Sequence, residues 1–312
     1  MTSLMTTSVM NKNKTTQPYF KYQQISGHQG PIYALSQDNS FYYSASADKF
    51  VARWYPENGQ QDHFAVRCTQ APFSLYVEPT LQHLVIGLSD GHLHVIDILQ
   101  KQEVKNLIVH QSAVFAIHFN KFQKQYYTAD ADGLLAVWDA DWHLLLQIPL
   151  ACGKIRQLEI ASDGTYLLLA CADGKVRKLD STFFNEELQF QAHTDACTAL
   201  SILPNGTILS AGKDAYVRRW TAAGQQLNAF PAHLGTIYQL KILNTPHYVT
   251  ASRDKTIKIW DLQTDQIVQR IDLQMAGHRH SINTVLCTEN GFLSAGDDKR
   301  IIEWRFSNSK TP

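Results

Sequence analysis

Short runs in which apolar and polar residues alternate recur along the chain and close on the same ending: "FVARW" (50–54), "LLAVWD" (134–139), "YVRRW" (216–220), "TIKIW" (256–260) and "IIEW" (301–304). Each follows a second apolar run and a small, charged turn: "SASADK" (44–49), "TADADG" (128–133), "SAGKDA" (210–215), "TASRDK" (250–255) and "SAGDDK" (294–299). Alternation of period two, rich in β-branched and aromatic residues, predicts strand, turn, strand. Apolar residues at helical spacing, which a helical repeat array would need, are missing.

Aligned on the turn aspartate, the units fall at Asp48, Asp90, Asp132, Asp173, Asp214, Asp254 and Asp298, with separations of 42, 42, 41, 41, 40 and 44 residues. Seven units of this length, each holding several short β-rich runs, predict an all-β fold: a seven-bladed β-propeller of four-stranded antiparallel blades. A strand-like segment, "YFKYQQIS" (19–26), precedes the first unit, and only "RFSNSKTP" follows Trp304. The N-terminal strand is therefore expected to complete blade seven and close the ring. Deleting residues 1–26 should then destabilise the whole ring, whereas deleting 1–16 should do little. The organisation reads as a flexible tail over 1–17, a propeller over 18–308 and a short tail over 309–312.

Composition narrows the functional classes. Lys and Arg together number 28, as do Asp and Glu, so no global field argues for nucleic acid or an anionic membrane. The five cysteines are scattered, without a CxxC pair, which suits buried thiols in a reducing compartment and makes cytoplasmic the expected location. The start lacks the basic and apolar regions of a secretory signal, and no later run approaches the roughly 18 apolar residues of a membrane helix.

The chain resembles the WD-repeat family over about residues 19 to 306, with Trp-Asp at 138–139 and 260–261 and Gly-His at 27–28 and 277–278. The resemblance implies a hydrogen-bonded tetrad in each complete blade, from a strand Trp through Ser or Thr to His and then the turn Asp. Its expected members are His28, Ser44, Asp48 and Trp54; His110, Thr128, Asp132 and Trp138; His193, Ser210, Asp214 and Trp220; His233, Thr250, Asp254 and Trp260; and His278, Ser294, Asp298 and Trp304. Each member meets a buried polar need of the next. In blades two and four the partner places hold Thr69, Ile86 and Ile96, and Ala151, Leu169 and Leu179. The set is lost together there, as expected if one orphaned buried donor costs about 1–3 kcal/mol while an apolar swap of the whole set is nearly neutral. The remaining Asp90 and Asp173 are expected to cap turn N–H groups.

Ser, His and Asp in one set also describe a hydrolase triad. Five near-identical copies cannot each be a nucleophile site, the hydroxyl is committed to Trp in the family geometry, and no G-x-S-x-G elbow occurs. His92 and His94 share a strand face as a metal pair would, but no third ligand is specified. The "DADG" at 130–133 lacks the remaining ligands of a calcium loop. No catalytic residue, metal or cofactor is therefore expected, and the reading is of a non-enzymatic protein.

What remains is a surface. The resemblance implies three positions per blade on the top face: three and five residues after the His place, and one before the turn Asp. Among these, Tyr33, Phe115 and Tyr238 are aromatic anchors, and Lys154, Arg156, Lys213 and Arg253 form a basic arc opposed by Asp297. In blade two, counted from Thr69, the first two positions are Pro72 and Ser74. The expected function is a protein–protein interaction scaffold, itself monomeric and part of a multiprotein complex, receiving acidic or phosphorylated segments. The alternatives are an RNA or ribonucleoprotein-binding propeller, helped by Lys175, Arg177, Lys178, Arg218 and Arg219, and a propeller hydrolase.

Overall fold

The computed structural model describes residues 18–78, 80 and 82–307. The expected tails over 1–17 and 309–312, and the last propeller residue at 308, lie outside them. Seven four-stranded antiparallel sheets form, with strands a, b, c and d from the centre outward, in sequence order in six blades and with the N-terminal strand as strand d of the seventh. The innermost strands are Ile32–Gln37, Pro72–Glu78, Val114–Asn120, Ile155–Ile160, Cys197–Ile202, Ile237–Ile242 and Ile282–Thr288. Each neighbours the next, and the last neighbours the first, so the sheets make a ring. Among the described residues the one helical segment is a single turn, Leu273–Met275, between blades six and seven.

Why the sequence folds this way is clearest at the turn between strands b and c. The turn carboxylate accepts from the backbone N–H two residues on, as in Asp48 to Phe50 (3.1 Å) and Asp254 to Thr256 (3.0 Å). Blades two and four keep that cap, from His92 to Asp90 and from Lys175 to Asp173. The residue after the aspartate has a positive φ in every blade, and three of the seven are Gly91, Gly133 and Gly174. At Gly91 a Cβ would sit 2.2 Å from the His110 carbonyl oxygen, so only glycine fits.

Ring closure joins the two ends of the chain. Tyr19–Ser26 pairs antiparallel with Arg300–Phe306 as the outer strand of blade seven. Tyr19 is fully buried and reaches across into blade six. Its hydroxyl lies 2.8 Å from Thr245 Oγ1, its backbone N–H donates to Gln269 Oε1 (2.9 Å), and Gln269 Nε2 donates back to its carbonyl (2.8 Å). Cores between blades are apolar: Leu209 and Val217 of blade five pack with Leu240, Tyr248 and Trp260 of blade six.

Candidate partner site at the channel mouth

The tetrads are built as hydrogen-bonded chains. In blade one Trp54 Nε1 donates to Ser44 Oγ (2.7 Å), Ser44 Oγ lies 2.7 Å from His28 Nε2, and His28 Nδ1 lies 2.9 Å from Asp48. Blades five, six and seven repeat the chain through Trp220, Ser210, His193 and Asp214; Trp260, Thr250, His233 and Asp254; and Trp304, Ser294, His278 and Asp298. Blade three departs from expectation. His110 Nδ1 bonds to Asp130 (2.8 Å), not Asp132, while Trp138, Thr128 and His110 keep their places. Asp130 ends strand b, and the corresponding residues of blades one and six are Ser46 and Ser252. From there its carboxylate also accepts the N–H groups of Asp132 and Leu134 (both 2.9 Å), so it does the work of the turn acid, and Asp132 is exposed.

The electrostatics of the chain are consistent with neutral imidazole and ionised carboxylate. Burial holds the His193 and His233 imidazoles below their ordinary value, outweighing the pull of Asp214 and Asp254. Burial alone would raise those carboxyls, but bonds from the imidazoles carry them below the usual range. With Nδ1–H given to carboxylate and Nε2 accepting the hydroxyl proton, the hydroxyl oxygen receives the indole N–H. Every polar group is thereby used, and the hydroxyl is enclosed between Trp and His.

The second constellation lies in the central channel. In every innermost strand the register with strand b slips at the same place, leaving Tyr33, Phe73, Phe115, Arg156, Thr198, Tyr238 and Asn283 as the extra residue. A β-bulge leaves its extra residue outside the pairing and re-aims the side chain. All seven line one cavity of about 250 Å³ bordered by all seven blades. In blade two the bulged residue is Phe73, not the expected Pro72 or Ser74; counting back five residues puts Cys68, rather than Thr69, in the His place.

Phe73 completes an aromatic wall. Its ring lies 4.7 Å from Tyr33 and stacks on Phe115 at 5.2 Å. Beyond Phe115 the mouth becomes cationic: Lys154 Nζ is 4.3 Å from the Phe115 centroid, and Arg156 lies 5.0 Å from Phe115 and 5.5 Å from Tyr238. Among the described residues neither cation has a carboxylate within ion-pair distance. Burial, then the charge of Arg156, depresses the Lys154 ammonium, and burial depresses Arg156. Deeper in the channel Lys241 and Glu159 pair at 2.5 Å across two blades, and Glu159 also accepts from Gln157 (2.6 Å). Burial pushes His118, beside this pair, down to about 4.

The expected basic arc is thus divided. Lys154 and Arg156 are half-buried at the mouth, whereas Lys213 and Arg253 are exposed, and Lys213 is paired with Asp195 at 3.0 Å. Asp297, also exposed, accepts from Asn283 Nδ2 at 2.7 Å. The cations offered for RNA are largely committed: Arg177 to Asp173 and Glu186, Lys178 to Glu187, Arg218 to Asp214 and Arg219 to Asp265. His92 and His94 bond to Asn106 and Glu103 of the next strand. Asp139, Asp141 and His143 gather on one turn, where Asp139 already caps the N–H groups of the other two. All five cysteines are free thiols. Among the described residues no helix is long and apolar enough to cross a membrane.

The family model for the WD domain, G-beta repeat, matches residues 20–54, 101–139, 184–221 and 224–261, the stretches that hold the strand c tryptophans of blades one, three, five and six. With seven blades of the same build, the chain belongs to the WD-repeat family as a single seven-bladed β-propeller. It is 24% identical over 280 residues to an uncharacterised WD repeat-containing protein of Schizosaccharomyces pombe, covering 80% of this chain and 70% of the relative. CCR4-associated factor 4 of Saccharomyces cerevisiae is 27% identical over 177 residues, 50% of this chain and 26% of that protein. Eukaryotic translation initiation factor 3 subunit I of Meyerozyma guilliermondii is 32% identical over 88 residues, 27% of this chain and 25% of that protein. The chain thus aligns with about a quarter of the length of each of the last two. Propellers of this family generally serve as non-enzymatic scaffolds in protein–protein complexes.

Proposed function

We propose that this protein is a non-enzymatic, cytoplasmic platform for protein–protein assembly that receives a peptide or loop with an acidic or phosphorylated segment on the face bearing the b–c turns. The observation that carries the reading is Arg156, held between Phe115 and Tyr238 at the mouth with Lys154 alongside and no carboxylate on either. Aromatic anchors beside an unpaired guanidinium are the composition of a binding hot spot. The names of two relatives, an associated factor and a subunit of an initiation factor, support a place within a larger assembly. RNA binding has less support, because the neighbouring cations are already paired and the net charge is zero.

The test is affinity purification from native lysate with wild type and an Arg156→Glu, Tyr238→Ala variant shown to melt alike. Partners held only by wild type are the expected result. An identical partner list for both would move the binding site away from the mouth.

A further inference from the structure

We propose that the channel mouth is a phosphate pocket, in which Lys154 and Arg156 receive the phosphoryl group of a phosphorylated side chain carried by an extended partner segment. The inference rests on the upper face being the partner site, and adds which anion it takes and where.

Charge is the first argument. Two cations stand side by side, half-buried, with no carboxylate on either, and each loses by its burial. The groups facing them add nothing to cancel that excess. Lys241 and Glu159 neutralise one another, His118 is neutral near pH 7, and Asp297, bonded to Asn283 of blade seven, makes no ion pair with either cation. A phosphate monoester carries nearly two negative charges at neutral pH and three acceptor oxygens. It can satisfy both cations, whereas one carboxylate leaves a positive charge over. Arginine adds a planar fork of donors suited to phosphate, and the Tyr33, Phe73 and Phe115 wall keeps water from one side of the pair.

Location is the second argument. Arg156 is the bulged residue of its strand, so its side chain is aimed into the channel rather than across the sheet. Gln239, beside bulged Tyr238, lines the same cavity, with its Oε1 buried and without a hydrogen-bond partner among the described residues. Lys213 and Arg253 lie outside this arrangement, the first already neutralised by Asp195.

The test uses peptide libraries with a fixed central phosphoserine, phosphothreonine or phosphotyrosine and degenerate flanks, beside matching libraries fixed on Glu or unmodified Ser. Binding is read for wild type, a Lys154→Gln, Arg156→Gln variant and a Lys213→Gln, Arg253→Gln variant, all with equal melting temperatures. A phosphorylated pool should bind wild type about tenfold or more tightly than the Glu pool, lose that advantage in the inner variant, and keep it in the outer one. Equal binding of the Glu pool would overturn the phosphate assignment and leave an acidic-segment receptor standing. Loss only in the outer variant would overturn the pocket's location. If no pool binds, yet a lysate partner is still lost from the Arg156→Glu, Tyr238→Ala variant, the phosphate pocket fails while the platform survives.

Discussion

At the scale of single residues, the tetrads show how a buried polar chain is tolerated when each donor meets an acceptor. The family resemblance, matched at near-constant offsets, led to four of the five sets as built, because Trp and hydroxyl on paired strands must meet a His from the preceding loop and an Asp from the turn. Blade three was misread because the turn there offers two aspartates, and offset alone favoured the wrong one. Asp130 wins since its place at the end of strand b lets one carboxylate serve both the imidazole and two turn N–H groups. Asp130→Ala should therefore cost about 1–3 kcal/mol, seen as a lower melting temperature, while Asp132→Ala should stay within about 0.5 kcal/mol. The reverse order would return the tetrad to Asp132.

The same residues set a pH dependence. The folded His193 and His233 lie below their unfolded value, so their contribution is present above about pH 6.5 and lost as the pH falls. Asp48, Asp130, Asp214, Asp254 and Asp298 are also depressed, burial being outweighed by bonds from imidazoles and backbone N–H groups. Their contribution is present above about pH 4 and lost below it. Both act in one direction: the melting temperature should begin to fall below about pH 6 and fall more steeply below about pH 4. A flat profile between neutral pH and about pH 4 would contradict this.

At the scale of elements, the closing strand and the bulge matter most. The strand at residues 19–26 was legible from its alternation and from the shortage of chain after Trp304. What alternation could not convey is Tyr19, which joins blade seven to blade six through Thr245 and Gln269. Tyr19→Ala should cost about 3 kcal/mol or more, as loss of a buried aromatic does, and deletion through Ser26 should lower the melting temperature further. A ring that melts unchanged after that deletion would mean the outer strand is dispensable. The bulge was invisible because it falls at the second residue of each innermost strand, with too little alternation before it for the break in phase to show. In blade two no histidine marks the start of the count, and beginning it at Thr69 rather than Cys68 is why Phe73 was passed over for Pro72 and Ser74.

At the scale of the whole molecule, seven copies of one bulge turn seven unremarkable strands into a single lined mouth. The ion pair between Lys241 and Glu159 spans that channel from blade six to blade four. Lys241→Met alone should destabilise the ring by leaving a carboxylate facing the channel without its cation. Pairing it with Glu159→Gln should recover part of the loss, which a double-mutant cycle by denaturant unfolding would measure. Additive losses would show that the pair does not couple the blades.

The sequence alone determined the class of structure: spacing near forty residues, period-two alternation and the recurring hydroxyl and Trp offsets are local features, and local features survive in a string. The family resemblance that those features carry also marked Tyr33, Phe115, Lys154, Arg156 and Tyr238 as surface candidates. Only the tertiary structure decided which of them meet. Residues far apart in the chain become neighbours when strands pair and the ring closes, so the contact of Arg156 with Phe115 of the adjacent blade and Tyr238 two blades away, the neutralisation of Lys213 by Asp195 within blade five and the entry of Phe73 into the wall all depend on ring closure and strand register. Those are properties of through-space distance and side-chain direction, and neither is written in the order of residues along the chain.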